Sequence, residues 1–404
     1  MADKATDNIV DFAEAFLQAK ASDELSDTWK KIVGLYDVSA SRGKMFIPET
    51  FYPKVQKWFG HIDDKSPEDA VVRAENQLIV RVMNKWTFDQ TLFNPIRAKR
   101  PMNNNFENKT PAEVADEFEL IPGKCDFCSP IAYTAIDSWG RIERNTALTA
   151  SNCAKYDGFH SLIIFKDHRP LRYSKEKLTD IFSICEEWFY CAHEVNENAI
   201  YPMFSWNCKE RAGASQNHGH AHLVLGENFH YGRYEYLQHV ARNYNYANPK
   251  QNYFLDLIST SKAMGLAKSV GESTILINLT PSFGYDIIVL SWNFDQDFRD
   301  AMDKAILLLT KKFESVTFNI GITFPPLEKE GKVRKRLAWV HLKEALLSED
   351  APMPYLAYLV DRGDPSNGKY TSDVGAMKLQ GSSIVANDPF AAGKILRIPD
   401  LLWK

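Results

Sequence analysis

The sequence contains no apolar run near the length of about 20 residues that a helix needs to cross a membrane. Its N-terminus, Met1 to Asp7, also lacks the basic region and apolar core of a secretory leader. Cysteine is scarce, and six residues in a chain of 404 are too few for a disulfide scaffold. These absences predict a soluble, cytoplasmic protein that does not act at a membrane.

A strong excess of charge of one sign is missing as well. The formal net charge is -4, so we do not expect nucleic acid as the bulk partner, although single phosphate sites stay open. The hydrophobic content of 45% can build a sizeable core. A chain of 404 residues is long enough for two domains or two fused half-domains.

The segment from Gly213 to Leu225 carries three alternating histidines, His218, His220 and His222, followed by an apolar tail. Residues two apart on a strand leave from the same face, so the three imidazoles are predicted to lie side by side. Alternating histidines could also be a chance polar face or an adventitious metal site. Because three of the 10 histidines crowd into this segment, we predict a cluster that can hold a metal, attack phosphorus or carry protons.

Cys125 and Cys128 have the spacing of metal ligands and follow a Pro-Gly turn. Such a pair could also be redox-active or two ordinary thiols. An apolar strand leads to His168, however, and His218 opens the triad. Two thiolates and two imidazoles make a tetrahedral set that suits zinc. We therefore predict a closed, structural zinc site that pins the triad strand to the preceding loops and does no chemistry itself.

The apolar periodicity predicts an order of elements that occurs twice. Strands are predicted at 159–165, 203–207, 273–279, 285–292, 316–324 and 336–342, and helices at 8–20, 174–200 and 297–313. This indicates an internal duplication, although an unrelated α+β domain would fit the same periodicity. In the second copy, Leu337, Trp339 and His341 would stand where the first copy has its histidines.

A proline-bracketed stretch at 91–101 contains Arg97 and Arg100. It is either a solvated loop or an arm that meets phosphate oxygens, because a guanidinium can bind two of them at once.

The cysteine pair, His168 and the triad resemble the histidine triad (HIT-like) superfamily. Within it they are similar to the branch of galactose-1-phosphate uridylyltransferase and the dinucleoside polyphosphate and nucleotide-sugar phosphorylases. The resemblance implies an α+β fold of two similar half-domains, each with an antiparallel sheet flanked by helices. It divides the chain into an N-terminal segment packed on the body at 1–89, a catalytic half with the zinc site at 90–235, and a second half without the triad at 236–404. Members often pair, so a homodimer is a further expectation.

The resemblance also assigns roles to matched residues. The positions of Cys125, Cys128, His168 and His218 bind zinc in that branch, and the position of His220 is the nucleophile. The phosphate-binding segment is matched by Asn207, Gly213 and Ser215, the N-terminal motif by residues 94–101, and the closing strand and helix by residues 375–381, 388–390 and 395–397. The predicted substrate-binding residues are Asn207, Arg211, Gly213, Ser215, Gln216, Arg97 and Arg100.

Two positions depart from the branch. Its transferases carry Gln two residues after the nucleophile, whereas this chain has His222, as hydrolases of the wider superfamily do. The branch is also rich in glycine after its Asn, and here Cys208-Lys209-Glu210-Arg211 intervenes. Lys209 or Arg211 is therefore expected to contact the phosphates instead.

The predicted chemistry splits one displacement at phosphorus into two, with a covalent intermediate between them. His220 would attack the α-phosphorus of a nucleotide and leave a nucleotidyl-histidine. His222 would bond a non-bridging oxygen or protonate the leaving group, Ser215 would steady the developing charge, and a backbone carbonyl would fix the tautomer of His220. We expect a nucleotidyltransferase or phosphorylase acting on a nucleotide sugar or dinucleoside polyphosphate. The alternatives are a HIT-type nucleotide hydrolase, with water as acceptor, and a non-catalytic, zinc-dependent module that binds nucleotides or RNA ends.

Overall fold

The computed structural model of the chain describes residues 6–60, 69–94, 96–97, 125–334, 345–347, 351–363, 377 and 380–399. Its helices are α1 (Ile9–Lys20), α2 (Asp27–Leu35), α3 (Tyr52–Phe59), α4 (Asp69–Glu75), α5 (Pro130–Tyr133), α6 (Lys175–Val195), α7 (Gly232–Ala247), α8 (Tyr253–Ala263), α9 (Gln296–Leu307) and α10 (Pro389–Leu396). Its strands are β1 (Tyr36–Lys44), β2 (Asn76–Asn84), β3 (Gln90–Phe93), β4 (Ala147–Ser151), β5 (Phe159–Phe165), β6 (Ala199–Cys208), β7 (His220–Glu227), β8 (Ala267–Val270), β9 (Ser273–Ile277), β10 (Asp286–Ser291), β11 (Phe318–Thr323), β12 (Tyr355–Asp361) and β13 (Ser382–Val385).

A nine-stranded antiparallel sheet forms the body, in the order β4-β5-β7-β6-β11-β12-β10-β9-β8. Apart from the edge strand β8, the order is symmetric about the β6-β11 pair. Along the chain, β4, β5, α6, β6 and β7 are followed later by β9, β10, α9, β11 and β12 in matching places. The α+β architecture with two similar halves is thus confirmed, and the halves share one continuous sheet. The boundaries at 89/90 and 235/236 stay a prediction.

The prediction that residues 336–342 form the counterpart of the triad strand is wrong. The place that corresponds to β7 belongs to β12, which pairs with β10 and β11. Residues 335–344, with Leu337, Trp339 and His341, lie outside the described residues. The error has a physical reason: periodicity cannot say which of several strands a sheet will accept between two given neighbours.

Helices α6 and α9 cover one face of the sheet with aromatic side chains. α6 begins at Ser174, whose hydroxyl accepts from the Lys177 N–H, and its long apolar stripe is buried. The Phe182 ring lies 5.2 Å from that of Phe294 and 5.8 Å from that of Phe298. Burying one such ring contributes about 1.5–3 kcal/mol, so this layer holds the two halves together.

The opposite face of the central strands is more polar, because side chains alternate along a strand. Ser205 of β6 lies opposite His222 of β7, and Asn207 of β6 lies opposite Asn319 of β11. These side chains therefore share one face with His220. The sheet thereby carries its polar residues together, around the centre of its symmetry.

A second sheet of four strands, in the order β1-β2-β3-β13, combines strands from both ends of the chain. Its last strand pairs in parallel with β3, and the predicted closing helix is α10, capped by Asp388. Asp388 also accepts from the Ile9 N–H at 2.8 Å, and Phe12 contacts Phe390 at 5.3 Å, so α1 packs against α10. Within the described residues, every helix is too short or too polar to span a bilayer.

Candidate active site

The triad strand is confirmed for His220 and His222, which lie at the start of β7, while His218 comes just before it. The rings of His220 and His222 are 5.3 Å apart, whereas the ring of His218 faces His168 at 4.8 Å. Gly219 lets the chain pass close to Phe165 and Pro170. An added Cβ at this position would lie 2.6 Å from the Phe165 ring and 3.2 Å from the Pro170 backbone.

The structure brings the four predicted metal ligands together. One ligand atom each from Cys125, Cys128, His168 and His218 all lie within 4.8 Å of one another. The His218 Nδ1 is 3.5 Å from both sulfurs, and the His168 Nδ1 is 3.2 Å from the Cys128 sulfur. Cys125 precedes a short 3-10 turn at Asp126–Cys128, and Cys128 ends it. A Cys-x-x-Cys pair and two histidines distant in sequence therefore converge on one point.

The chemistry of this donor set fits zinc. The Nε2 of His218 donates to the Phe165 carbonyl at 2.6 Å, which leaves Nδ1 as the atom with a free lone pair on the sulfur side. Burial lowers the pKa of His218 to about 4, so this imidazole is neutral and able to bind a cation. Two thiolates and two neutral imidazoles are a complete tetrahedral set, without an open position for substrate.

His220 has the tautomer that a nucleophile needs. Its Nδ1–H donates to the His218 carbonyl at 2.8 Å, so the lone pair lies on Nε2. Burial lowers its pKa, which keeps that lone pair unprotonated at neutral pH. The Phe127 ring stands edge-on to His220 at 5.3 Å and to His218 at 5.8 Å. The turn between the cysteines thus packs directly against the triad.

His222 is held by a residue to which the sequence assigned no role, His160 on β5. The backbone N–H of Tyr156 donates to the His160 Nδ1 at 2.9 Å, so a neutral His160 carries its proton on Nε2. That Nε2 lies 3.0 Å from the His222 Nδ1, to which it donates, and it also lies 3.1 Å from the Asn152 Nδ2. His222 therefore carries its own proton on Nε2. The exposed Tyr156 ring stacks on His222 at 5.5 Å.

Both members of this pair are neutral. Burial is the main cause in each case, and it lowers the pKa of His160 to about 4 and that of His222 to about 3. His160 lies two residues from Leu162, which faces His222 across the β5-β7 ladder, so His160 and His222 share one face of the sheet. The sequence shows the alternation along β5, but not the β5-β7 register that pairs His160 with His222.

The predicted phosphate-binding segment lies between β6 and β7. Lys209 and Gly213 adopt left-handed conformations, with φ of 73° and 95°, on either side of a 3-10 turn at Glu210–Ala212. Asn207 is half-buried at the end of β6, while Ser215 and Gln216 are exposed in the loop that leads to His218. Arg211 is half-buried and its charge acts on Arg362, a residue of the second half that sequence analysis missed.

The basic arm is only partly described. Arg97 lies in a short turn just beyond β3, in the four-stranded sheet, and its N–H donates to the Asn94 carbonyl at 3.1 Å. Arg100 lies outside the described residues. The phosphate-binding role of both arginines stays a prediction.

Comparisons by sequence identify no relative. No protein-family model matches the chain, and no curated protein is similar to it in sequence. Comparisons by structure do. An ADP-glucose phosphorylase from Arabidopsis thaliana, solved with bound ADP-glucose, matches with a TM-score of 0.52 at 14% identity, over 78% of this chain and 96% of that one.

Two further solved structures are similar to a lower degree. A galactose-1-phosphate uridylyltransferase-like protein from Arabidopsis thaliana has a TM-score of 0.49 at 15% identity, over 68% of this chain and 92% of that one. The yeast Ap4A phosphorylase Apa2 in complex with Ap4A has a TM-score of 0.33 at 14% identity, over 86% and 96% of the two chains. The match to the ADP-glucose phosphorylase shows the fold, and the predicted HIT-like resemblance is confirmed at that level.

Proposed function

We propose that the chain is a nucleotidyl-transferring enzyme that works through a covalent bond between His220 and the α-phosphorus of a nucleotide. The observation that carries the proposal is the pair of opposite tautomers on β7. His220 presents a bare Nε2 because its Nδ1–H is bonded to the His218 carbonyl, and His222 presents an Nε2–H because its Nδ1 accepts from His160. A nucleophile and a hydrogen-bond donor thus stand side by side, with rings 5.3 Å apart.

The first step uses the lone pair of His220. Nε2 attacks the α-phosphorus in line, the bond from phosphorus to the leaving oxygen breaks, and its electron pair departs with the phosphate or sugar phosphate. The imidazole of the nucleotidyl-histidine gains positive character, which the carbonyl of His218 stabilises through Nδ1–H. In the second step an acceptor oxygen attacks the same phosphorus, and the P–N bond returns its electron pair to Nε2.

His222 acts in this scheme as a hydrogen-bond donor. A neutral imidazole N–H is too weak an acid to give up its proton to a leaving phosphate, but it can bond an oxygen on which negative charge gathers. Of the two roles expected for His222, the structure therefore favours contact with a phosphate oxygen. Removing one preorganised donor of this kind costs about 10²–10³ in rate in well-studied enzymes.

Zinc would be held by Cys125, Cys128, His168 and His218, and when bound it supplies a rigid cross-link between the turn at Asp126–Cys128 and the residue before β7. Every step at phosphorus is assigned to side chains of the triad. The backbone carbonyl of His218 orients His220, so a fixed His218 keeps the nucleophile aimed.

Brief incubation with α-³²P-labelled nucleotides tests the proposal. A panel of dinucleoside polyphosphates and nucleoside diphosphate sugars should include one that leaves acid-labile label on the protein, and His220→Ala should abolish it. His239→Ala is the matched control, because His239 is an exposed residue of α7 whose Nε2 contacts the amide of Asn243 on the same helix. A protein that binds these compounds and takes no label would instead be a binding module.

A chase of the labelled protein identifies the acceptor. Release by inorganic phosphate makes the enzyme a phosphorylase, release by a hexose phosphate a transferase, and release by water alone a hydrolase. We rank the first two above hydrolysis. The structural match to an enzyme whose name states that it is a phosphorylase supports that order, and the histidine at position 222 supports the third outcome.

A further inference from the structure

A chain of hydrogen bonds crosses three strands on the polar face of the sheet and ends beside the nucleophile. It runs from Arg362, just after β12, through Asn319 on β11 to Asn207 on β6. We infer that Arg362 and Asn319 are positioning residues of the site: they lock the amide of Asn207 so that its NH₂ group faces the substrate phosphate. The inference rests on the proposed function and extends the site into the second half of the chain.

The donor and the acceptor of each of these hydrogen bonds follow from the chemistry of the groups. A guanidinium can only donate, so the Arg362 Nη1 donates to the Asn319 Oδ1 at 2.8 Å. A carbonyl can only accept, so the Asn319 Nδ2 donates to the Ala212 carbonyl at 2.7 Å. Partners at both ends thus fix which atom of Asn319 is oxygen and which is nitrogen, and the usual ambiguity of amide orientation does not arise.

The orientation of Asn207 follows directly. The Asn319 Nδ2 also donates to the Asn207 Oδ1 at 2.7 Å, which occupies the oxygen of that amide. The NH₂ group of Asn207 then points away from Asn319. Among the described residues it has no hydrogen-bond partner, although it belongs to a half-buried side chain. Two donor hydrogens are therefore presented to the space in front of the sheet.

The strand register brings this amide to the nucleophile. The β6-β7 pairing ends at Ser205, which lies opposite His222, and continuing this register by two residues places Asn207 level with His220. Adjacent strands are about 4.8 Å apart, which puts the amide within reach of a phosphate that His220 attacks. An NH₂ group there can bond a non-bridging oxygen, whereas the amide oxygen would repel it.

Positive charge supports the same assignment. The Arg362 guanidinium lies over the Phe283 ring, 4.7 Å from its centre, which holds it in place. Burial and the nearby charge of Arg211 lower the pKa of Arg362, and the neighbouring Asp361 carboxylate opposes this shift. An anion bound in front of Asn207 would be attracted by both guanidinium groups. The ligand class is accordingly a phosphate ester bound through its α-phosphate.

Asn319→Asp is the discriminating substitution, because it keeps the shape of the side chain and removes its donors. The new carboxylate would still accept from Arg362 and would lose the bond to the Ala212 carbonyl. It would accept from Asn207 as well, and the Asn207 amide would turn its oxygen toward the phosphate. We expect the labelling rate to fall by about 10²-fold and AMP, GMP and UMP to bind more weakly. In the melting temperature, the new ion pair between the carboxylate and Arg362 offsets the lost bond to the Ala212 carbonyl.

A double-mutant cycle separates positioning from general structure. In a protein that already carries Asn207→Ala, adding Asn319→Asp should change labelling less than about threefold, because its effect acts through Asn207. Arg362→Met should show the same dependence on Asn207, and Arg362→Lys should recover part of the rate. Equal losses with and without Asn207 would overturn the inference, as would wild-type labelling by Asn319→Asp.

The two proposals can fail separately. A wild-type protein that binds AMP, GMP or UMP but takes no label refutes covalent transfer, and the cycle is then read from the dissociation constants. A wild-type protein that is labelled while Asn319→Asp matches it refutes only the positioning role. A wild-type protein that binds none of the three nucleotides overturns both.

Discussion

Replacing His160 by Leu should disable His222 without touching the triad itself. His160 is fully buried, and its Nε2 donates to the His222 Nδ1 at 3.0 Å. Without that donor His222 can move its proton to Nδ1 and turn a lone pair toward the substrate oxygen. The hydrogen bond that selects the correct tautomer is worth about 0.5–1.5 kcal/mol net, and about 1.36 kcal/mol corresponds to a factor of ten in rate. We expect labelling to slow about tenfold.

The assay is the rate of label incorporation in a single turnover, followed together with thermal unfolding. His160→Gln is the conservative variant, because the glutamine Nε2 can still donate to His222, and it should recover most of the rate. His230→Leu is the matched control: His230 is also buried, but it bonds the Phe324 carbonyl and lies beyond the far end of β7. If His160→Leu labels at the wild-type rate, or His230→Leu is equally slow, the tautomer argument is wrong.

The same variant changes how stability depends on pH. Burial lowers the pKa of His160 in the folded protein to about 4 from an ordinary value of 6.5. Between these values the unfolded chain binds the proton and the folded protein does not, so the group's stabilisation is complete above 6.5 and is lost as the pH falls toward 4. One such group contributes a slope of up to about 1.36 kcal/mol per pH unit.

His160→Leu should therefore flatten the curve of unfolding free energy against pH in that window, relative to wild type. His230→Leu should flatten it too, because burial lowers the pKa of His230 to about 4, while leaving labelling intact. Denaturant unfolding at several pH values measures the difference. An unchanged slope in both variants would contradict the burial of neutral histidines.

Three further predictions concern the metal site, the glycine at position 219 and the aromatic core. Cys128→Ser should reduce bound zinc from about one per chain, measured by atomic absorption, and lower the melting temperature, since a closed site contributes to folding; a metal-free wild type of equal stability would contradict this. Gly219→Ala should destabilise by about 1–3 kcal/mol in denaturant unfolding, because the new Cβ would stand 3.2 Å from the Pro170 backbone; a neutral result would show that the segment can shift. Phe294→Ala should cost about 3–5 kcal/mol, since this buried ring packs between α6 and α9; a loss below about 1 kcal/mol would mean the aromatic layer collapses around the gap.

Much of the site could be predicted because it is written in residue types and short spacings. Thiol and imidazole are the preferred ligands of zinc, so Cys125, Cys128, His168 and His218 could be grouped before any fold was known. The spacing of two placed His220 and His222 on one face of a strand. The long helix α6 followed from its apolar stripe in the same way.

Other features could not be predicted, because they depend on which strands become neighbours. The region between 22 and 89 has little periodic signal, and β1 and β2 in it form a sheet that β13 completes from the far end of the chain. The periodicity predicts the counterpart of β7 at 336–342, whereas β12 holds that position in the sheet. A short apolar run fits a strand anywhere, and only pairing with β10 and β11 selects one.

The sequence by itself determined the inventory: the donor atoms for a metal, a nucleophile with an imidazole beside it, and the alternation that puts both on one face. The tertiary structure decided their states. His160, 62 positions before His222, selects the proton position on that ring, and Asn319, 112 positions after Asn207, selects the direction of that amide. A proton or an amide responds to the atoms within hydrogen-bonding distance, and those atoms come from strands that are distant in sequence and adjacent only in the folded sheet.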